Sequence, residues 1–159
     1  MDTPKQRTQA QAVSDVRFAV IYGQLNERFW ARMDTTINLV NAIAGSAAFA
    51  SVLAKEPTLT ATAGVALAVM SAVAMTLRPL ERSFQFRDHR RLFTDLDIRA
   101  WQLTLADLDA EYKRLCASAP IGFTALCRPA ENINASQLGA VGRQQKLSWF
   151  ERLVVALAD

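Results

Sequence analysis

The sequence is short of the side chains on which most catalytic and metal sites depend. It carries one histidine and two cysteines in 159 residues. Cys116 and Cys127 have no His or Cys neighbours at ligand spacing, which argues against a metal centre. On a cytoplasmic face such thiols stay reduced and act as small apolar side chains. His89 stands among Arg87, Arg90 and Arg91. Arginine neighbours favour the neutral ring and supply no carboxylate to orient it. A Gly-rich phosphate loop, a His-Glu-x-x-His pattern and a nucleophile elbow are all missing. The expectation is a non-enzyme with no catalytic residue, cofactor or metal. An apolar stretch near the start is lacking too. Residues 1–17 (MDTPKQRTQAQAVSDVR) are polar and charged, whereas a secretory signal needs an apolar core within its first ~15–30 residues. The first apolar segment is therefore expected to serve as an uncleaved targeting signal.

Charge is nearly absent from one long block. Between Thr35 and Leu77 the only charged residues are Lys55 and Glu56, beside Pro57. The overall mean hydropathy, close to zero, hides this polar–apolar–polar partition. Two uncharged runs result, Thr35–Ala54 and Thr58–Leu77. Each matches the roughly 20 residues that a bilayer core of ~30 Å demands of a helix. Neither has the polar stripe of a soluble helix of that length. Lys55-Glu56-Pro57 is short enough to force an antiparallel turn, and Pro57 suits the first turn of the second helix. The predicted fold class is all-α, an integral membrane helical hairpin of two transmembrane helices over residues 34–77.

Lys5, Arg7, Arg17, Arg28 and Arg32 precede the first run; Arg78, Arg82, Arg87, Arg90 and Arg91 follow the second. The connection has a single lysine. The positive-inside rule then puts both termini in the cytoplasm and the turn outside. The net charge of +3 and pI near 9.2 fit juxtamembrane attraction to anionic lipid. A nucleic-acid partner is not expected, since no basic stripe is interleaved with base-stacking aromatics.

The flanking segments read as helical. Within residues 1–33 a helix is expected from about Thr8 to Met33, where Phe18, Tyr22, Leu25, Phe29 and Met33 recur at steps of three and four, the mark of an amphipathic helix. Trp30 and Arg32 at its end resemble an interfacial anchor, as do Arg87, Arg90 and Arg91 beyond the second run. Residues 78–118 read as one long cytoplasmic helix. Its seam of Ile98, Trp101, Leu105, Leu108, Tyr112 and Leu115 implies a helical partner, from this chain or another subunit. Residues 119–159 read as a loop broken by Pro120, Gly122, Pro129, Gly139 and Gly142, then a short amphipathic helix. That helix would either lie on the membrane or cap the bundle.

Inside the apolar runs, Asn38 and Asn41 share one helix face. Ala42, Ser46, Ala50 and Ala54 form a small-residue strip that lets backbones approach closely in lipid. The two asparagines either bond across a helix interface or line a polar path.

An amphipathic helix, a tight two-span hairpin and a charged helix opening FQFRDHRRLFTDLDIRAW (Phe84–Trp101) resemble the SLATT proteins, the SMODS- and SLOG-associating two-transmembrane effectors. The resemblance covers roughly residues 20–118. It implies a membrane effector of bacterial conflict systems that homo-oligomerises and breaches the inner membrane. The trigger would come from a sensor or nucleotide-synthesising partner acting on the cytoplasmic helix, and the small-residue face would assemble the pore. A membrane scaffold or adaptor subunit is the alternative, and a phage holin-like protein a third reading.

Overall fold

The computed structural model describes residues 7–44, 46, 57–140, 142 and 144–159. Every regular element among them is helical. Helix α1 spans Gln9–Ala44, 36 residues and so roughly 54 Å. It opens on a reciprocal cap. The Gln11 N–H donates to the Thr8 hydroxyl (3.3 Å), and the Thr8 N–H donates to the Gln11 side-chain oxygen (2.9 Å). The amphipathic helix and the described start of the first apolar run, Thr35–Ala44, are thus one rod, because α1 contains no proline to interrupt the ladder. The end of that run, Ala50 and Ala54 included, and Lys55-Glu56 lie outside the described residues.

Helix α2 covers Pro57–Leu77 and α3 covers Pro79–Arg99. They meet at Arg78, the described non-glycine residue with positive φ (45°). Pro79 disfavours the right-handed helical conformation in the residue before it, and Arg78 takes the left-handed one instead of the usual extended one. The hydrogen bonds continue across the joint: the Arg78 N–H reaches the Ala74 carbonyl at 3.0 Å and the Arg82 N–H reaches that of Arg78 at 3.1 Å.

The long helix expected over residues 78–118 is two helices. It breaks after Arg99, and α4 begins at Leu105 and ends at Ala117. Thr104 starts it, its hydroxyl accepting the Asp107 N–H at 3.2 Å. An N-cap of this kind competes with helix continuation. Gln9 holds the break, donating to the carbonyls of Ala100 (2.8 Å) and Leu103 (3.2 Å). Helix α4 then folds back antiparallel on α3, with Tyr112 beside Phe93 and Leu115 beside His89. The seam splits accordingly. Leu108 and Leu115 are buried and Leu105 and Tyr112 pack at the edge of the same core, while Ile98 and Trp101 are 70% and 61% exposed.

The stretch read as loop after Pro120 contains a helix, α5, Cys127–Gln137, entered through a 3₁₀ turn at Thr124–Leu126. Pro129 sits in its first turn, where the missing N–H has no intrahelical partner to lose. The last helix, α6, runs Trp149–Ala158 and is started by a capping box between Ser148 and Glu151. It packs Val154 and Ala158 into the bundle.

Helix α1 is the shared axis of two cores. The far one gathers Val13, Val16, Phe93, Leu96 and Leu108. The near one, towards the apolar end, gathers Leu25, Phe29, Trp30, Phe86, Leu126 and Val154. The last third of α1 and all of α2 project from this bundle. They lie side by side and antiparallel: Val40, Ile43 and Ala44 face Ala63, Ala66 and Leu67 across one groove, and Asn38 and Asn41 face Ser71 and Met75 across another. Among the described residues one helical run, Thr60–Arg99, is long and apolar enough to cross a membrane. None of its most apolar window is buried within the protein.

Candidate functional site

The chemistry that the sequence places on the two apolar runs converges on their foot, where they enter the bundle. Asn38 donates to the Asp34 carboxylate at 2.9 Å. With Asn41 it lines a groove of about 430 Å³ that also takes in Ser71, Arg78 and Glu81. Ala42 is exposed and is not among the residues lining either groove. Ser46 is half-buried. Of the small-residue strip only Ala42 and Ser46 fall among the described residues.

Two residues expected as interfacial anchors make their contacts within the bundle. Trp30 is 5% exposed. It packs edge-on to Phe29 and Phe123, under the guanidinium of Arg82 at 5.0 Å. Its apolar ring wins a place in the core because α1 continues past it instead of ending there. Arg90 pairs with Glu27 at 2.8 Å, crossing α1 where Gly23 leaves room; a Cβ at Gly23 would come within 3.2 Å of the Arg90 Cβ. Arg87 lies over the Phe84 ring and Arg91 is 3.8 Å from Asp88. Arg32 remains exposed.

Asn26, one turn before Trp30, is the polar centre of the junction and is fully buried. Its Nδ2 donates to the Tyr22 carbonyl at 2.9 Å, and its Oδ1 accepts the Phe123 N–H at 2.8 Å. The clamp ties the 119–123 loop to α1. Gly122 makes the approach possible, since a Cβ there would fall 2.2 Å from the Tyr22 hydroxyl. Ser83 adds a second tie, its hydroxyl donating to the Glu27 carbonyl at 3.0 Å. Sequence reasoning passed over Asn26. The available signal was a polar residue four after Tyr22 and three before Phe29, on the apolar stripe of α1.

His89 contacts the Leu115 carbonyl through Nε2 at 2.9 Å. A carbonyl only accepts, so Nε2 carries the proton and the ring pins α4 to α3. His89 also borders a cavity of about 190 Å³ walled by Phe18, Tyr22, Phe86, Phe93 and Tyr112. No cluster of three or more potential metal ligands occurs among the described residues.

The chain's two tyrosines both face this interior. Burial, with Cys127 beside it, pushes the Tyr22 phenol up to about 12. Burial, with Cys116 beside it, raises Tyr112 well above the ordinary value. In an unfolded chain both ionise near pH 10. The folded chain holds more protons above that pH, so stability is full below about pH 10 and falls as pH rises through the interval up to the folded values. Tyrosinate absorbance at 295 nm should therefore stay flat past pH 10 and rise together with loss of helical signal. A rise near pH 10 with the helices intact would show that the phenols are not buried.

Comparison of the chain with protein-family models, with curated proteins and with solved structures finds no match.

Proposed function

We propose that the chain is a two-span inner-membrane effector, non-enzymatic, that homo-oligomerises through its apolar helices and perturbs the bilayer in a bacterial conflict response. The observation that carries this reading is that α2 is apolar along its length and uncovered by the bundle. Val65, Val69, Val73 and Met75 are exposed, as are Leu39 and Ile43 on α1. In water so long an apolar surface would be a liability. In lipid it is the surface that neighbouring helices and acyl chains cover. Val154 and Ala158 of α6 pack with Leu25, Phe29 and Trp30 of α1 in one bundle, which supports placing both helices on the cytoplasmic side. Asn38, Asn41 and Ser71 supply a polar groove along otherwise apolar helices, as a water path between subunits would need.

Induced expression in cells loaded with a membrane-potential dye tests this. Depolarisation that scales with expression, alone or with a co-expressed sensor or nucleotide-synthesising partner, is the expected result. Potential unchanged in every combination would sink it. The exposed Ile98 and Trp101 at the far end of α3 favour a second reading, an adaptor whose distal tip holds a partner protein. In that case purification in detergent would yield a fixed-ratio hetero-complex and no change in permeability.

A further inference from the structure

Three large apolar side chains are held out of the bundle close to the foot of α2. Ile121 is 87% exposed and Trp149 74% exposed, with Phe150 beside it at 42%. Ile121 borders a groove of about 300 Å³ together with Thr76 and Leu77, the last residues of α2, and with Arg78 and Arg82. Its height on the molecule is therefore that of the end of the apolar helix. Trp149 is linked by a ladder of rings to the near core, which Leu77 at the end of α2 also packs against. Trp149 meets Phe150 at 5.9 Å, Phe150 meets Phe123 at 6.2 Å, and Phe123 stacks on Phe29 at 4.9 Å. Ile121 has no freedom to turn inward, because Gly122 abuts the Tyr22 hydroxyl and the Phe123 N–H is held by Asn26.

Charge here leans positive. Arg28, Arg32, Arg78 and Arg82 stand against Glu27, Asp34 and Glu81, and Glu27 is taken by Arg90 at 2.8 Å. Arg78 lies 3.3 Å from Glu81. Arg82, stacked over Trp30, has no carboxylate within ion-pair distance among the described residues. An apolar fringe with basic residues beside it, at the end of an apolar helix, matches the headgroup–acyl boundary of an anionic bilayer.

We propose that the 119–123 loop and the start of α6 form a lipid-facing collar. Ile121 and Trp149 enter the boundary of the bilayer that α2 crosses, and Arg82 takes a lipid phosphate in the groove beside Ile121. The occupant is anionic phospholipid, argued from the continuity of the groove with the end of α2 and from the unpaired arginine. The inference rests on the membrane reading above and adds to it which part of the bundle touches lipid.

The three tryptophans provide the test. Trp101 lies beyond the far end of α3, a helix of 21 residues, and so roughly 30 Å from the collar. The full chain is reconstituted in phosphatidylcholine–phosphatidylglycerol vesicles whose lipids carry bromine near the headgroup end of the acyl chains. Two variants are compared, Trp30→Phe/Trp101→Phe, which keeps Trp149, and Trp30→Phe/Trp149→Phe, which keeps Trp101. Emission from Trp149 should fall at least about twofold at the 5–10 Å depth of an interfacial helix, and that from Trp101 should not change. With bromine on phosphatidylglycerol alone, Trp149 should be quenched more than with bromine on phosphatidylcholine alone. Arg82→Gln should abolish that preference, and Arg82→Lys should keep it. Vesicle flotation separates the failures. A chain that floats with vesicles while Trp149 stays unquenched overturns the collar and leaves the membrane reading standing. Emission from Trp149 that shifts only with protein-to-lipid ratio assigns this face to a second copy and also overturns it. A chain that does not float overturns both.

Discussion

Truncating Asn26 to alanine is expected to cost about 3 kcal/mol, from an unsatisfied buried donor together with a small cavity. Asn26 is fully buried, and its side chain makes one bond back to the Tyr22 carbonyl within α1 and one to the Phe123 N–H of the 119–123 loop. Without Oδ1 the Phe123 N–H loses the acceptor it has in a partly buried site. The ring of Phe123 is then no longer fixed against Phe29 and Trp30, so the near core loosens with it. For a chain of this size the loss corresponds to a fall in Tm of roughly 6–12 °C, read by circular dichroism in detergent. Asn26→Asp separates the two bonds. One carboxylate oxygen still accepts from Phe123, while the other confronts the Tyr22 carbonyl and has no proton to give. Burial raises that carboxyl's folded pKa above its unfolded value. The protonated form regains a donor, so the deficit should shrink as pH falls through the folded value and be full above it. An alanine variant within 2 °C of the parent, a shift corresponding to less than about 1 kcal/mol, would show that the clamp contributes nothing.

Much of the helical content was legible because helix signals are local. The stripe from Phe18 to Met33 marks the buried face of α1, and the uncharged run from Thr58 to Leu77 coincides with α2. Three features were misread for identifiable reasons. The seam from Ile98 to Leu115 keeps its rhythm across residues 100–104, so periodicity alone carried the helix through a break that Thr104 and Asp107 encode as an N-cap. Pro129 resembles a helix breaker in the sequence, yet a proline in the first turn sacrifices no bond. Trp30 and Arg90 are residue types that favour interfaces, and their contacts in the bundle depend on Phe123 and Glu27, far away in sequence. The junction was invisible for the same reason. Asn26 meets Phe123 across 97 residues, and no pattern within one helix announces such a pair.

The sequence also identifies α1 and α2 as apolar neighbours without saying what else touches them. Asn38 and Asn41 were read as sharing a face, and both border one groove shared with Ser71. Their chemistry is partly local, since Asn38 bonds to Asp34 one turn before it. That bond keeps the Asn38 amide near the foot of the helix, beside Arg78 and Glu81, in the most polar part of the apolar pair. A polar path, if the oligomer encloses one, would begin there.

The largest effect is expected from an arginine at Val69. Val69 lies past the middle of α2, is 57% exposed, and shares a stripe with Val65 and Val73. In water, an arginine at an exposed valine on a helix would be close to neutral, usually within about 0.5 kcal/mol. At the centre of a membrane-spanning helix the same change costs about 2.5–3.5 kcal/mol by insertion measurements. That is on the order of a hundredfold in the insertion equilibrium. The two environments thus predict opposite outcomes for one substitution. Val69→Arg should drop the carbonate-resistant membrane fraction by more than tenfold, while Val69→Leu should leave it unchanged. Leu80→Arg provides the positional control, since Leu80 is similarly exposed at 48% but lies past Arg78, beyond the foot of the apolar helix. Arginine is tolerated at that height because its long stem reaches the headgroups. A Val69→Arg chain as firmly membrane-bound as the parent would mean that α2 does not cross the bilayer at this point. A parent chain that is soluble without detergent would mean that its uncovered valines are covered by protein instead.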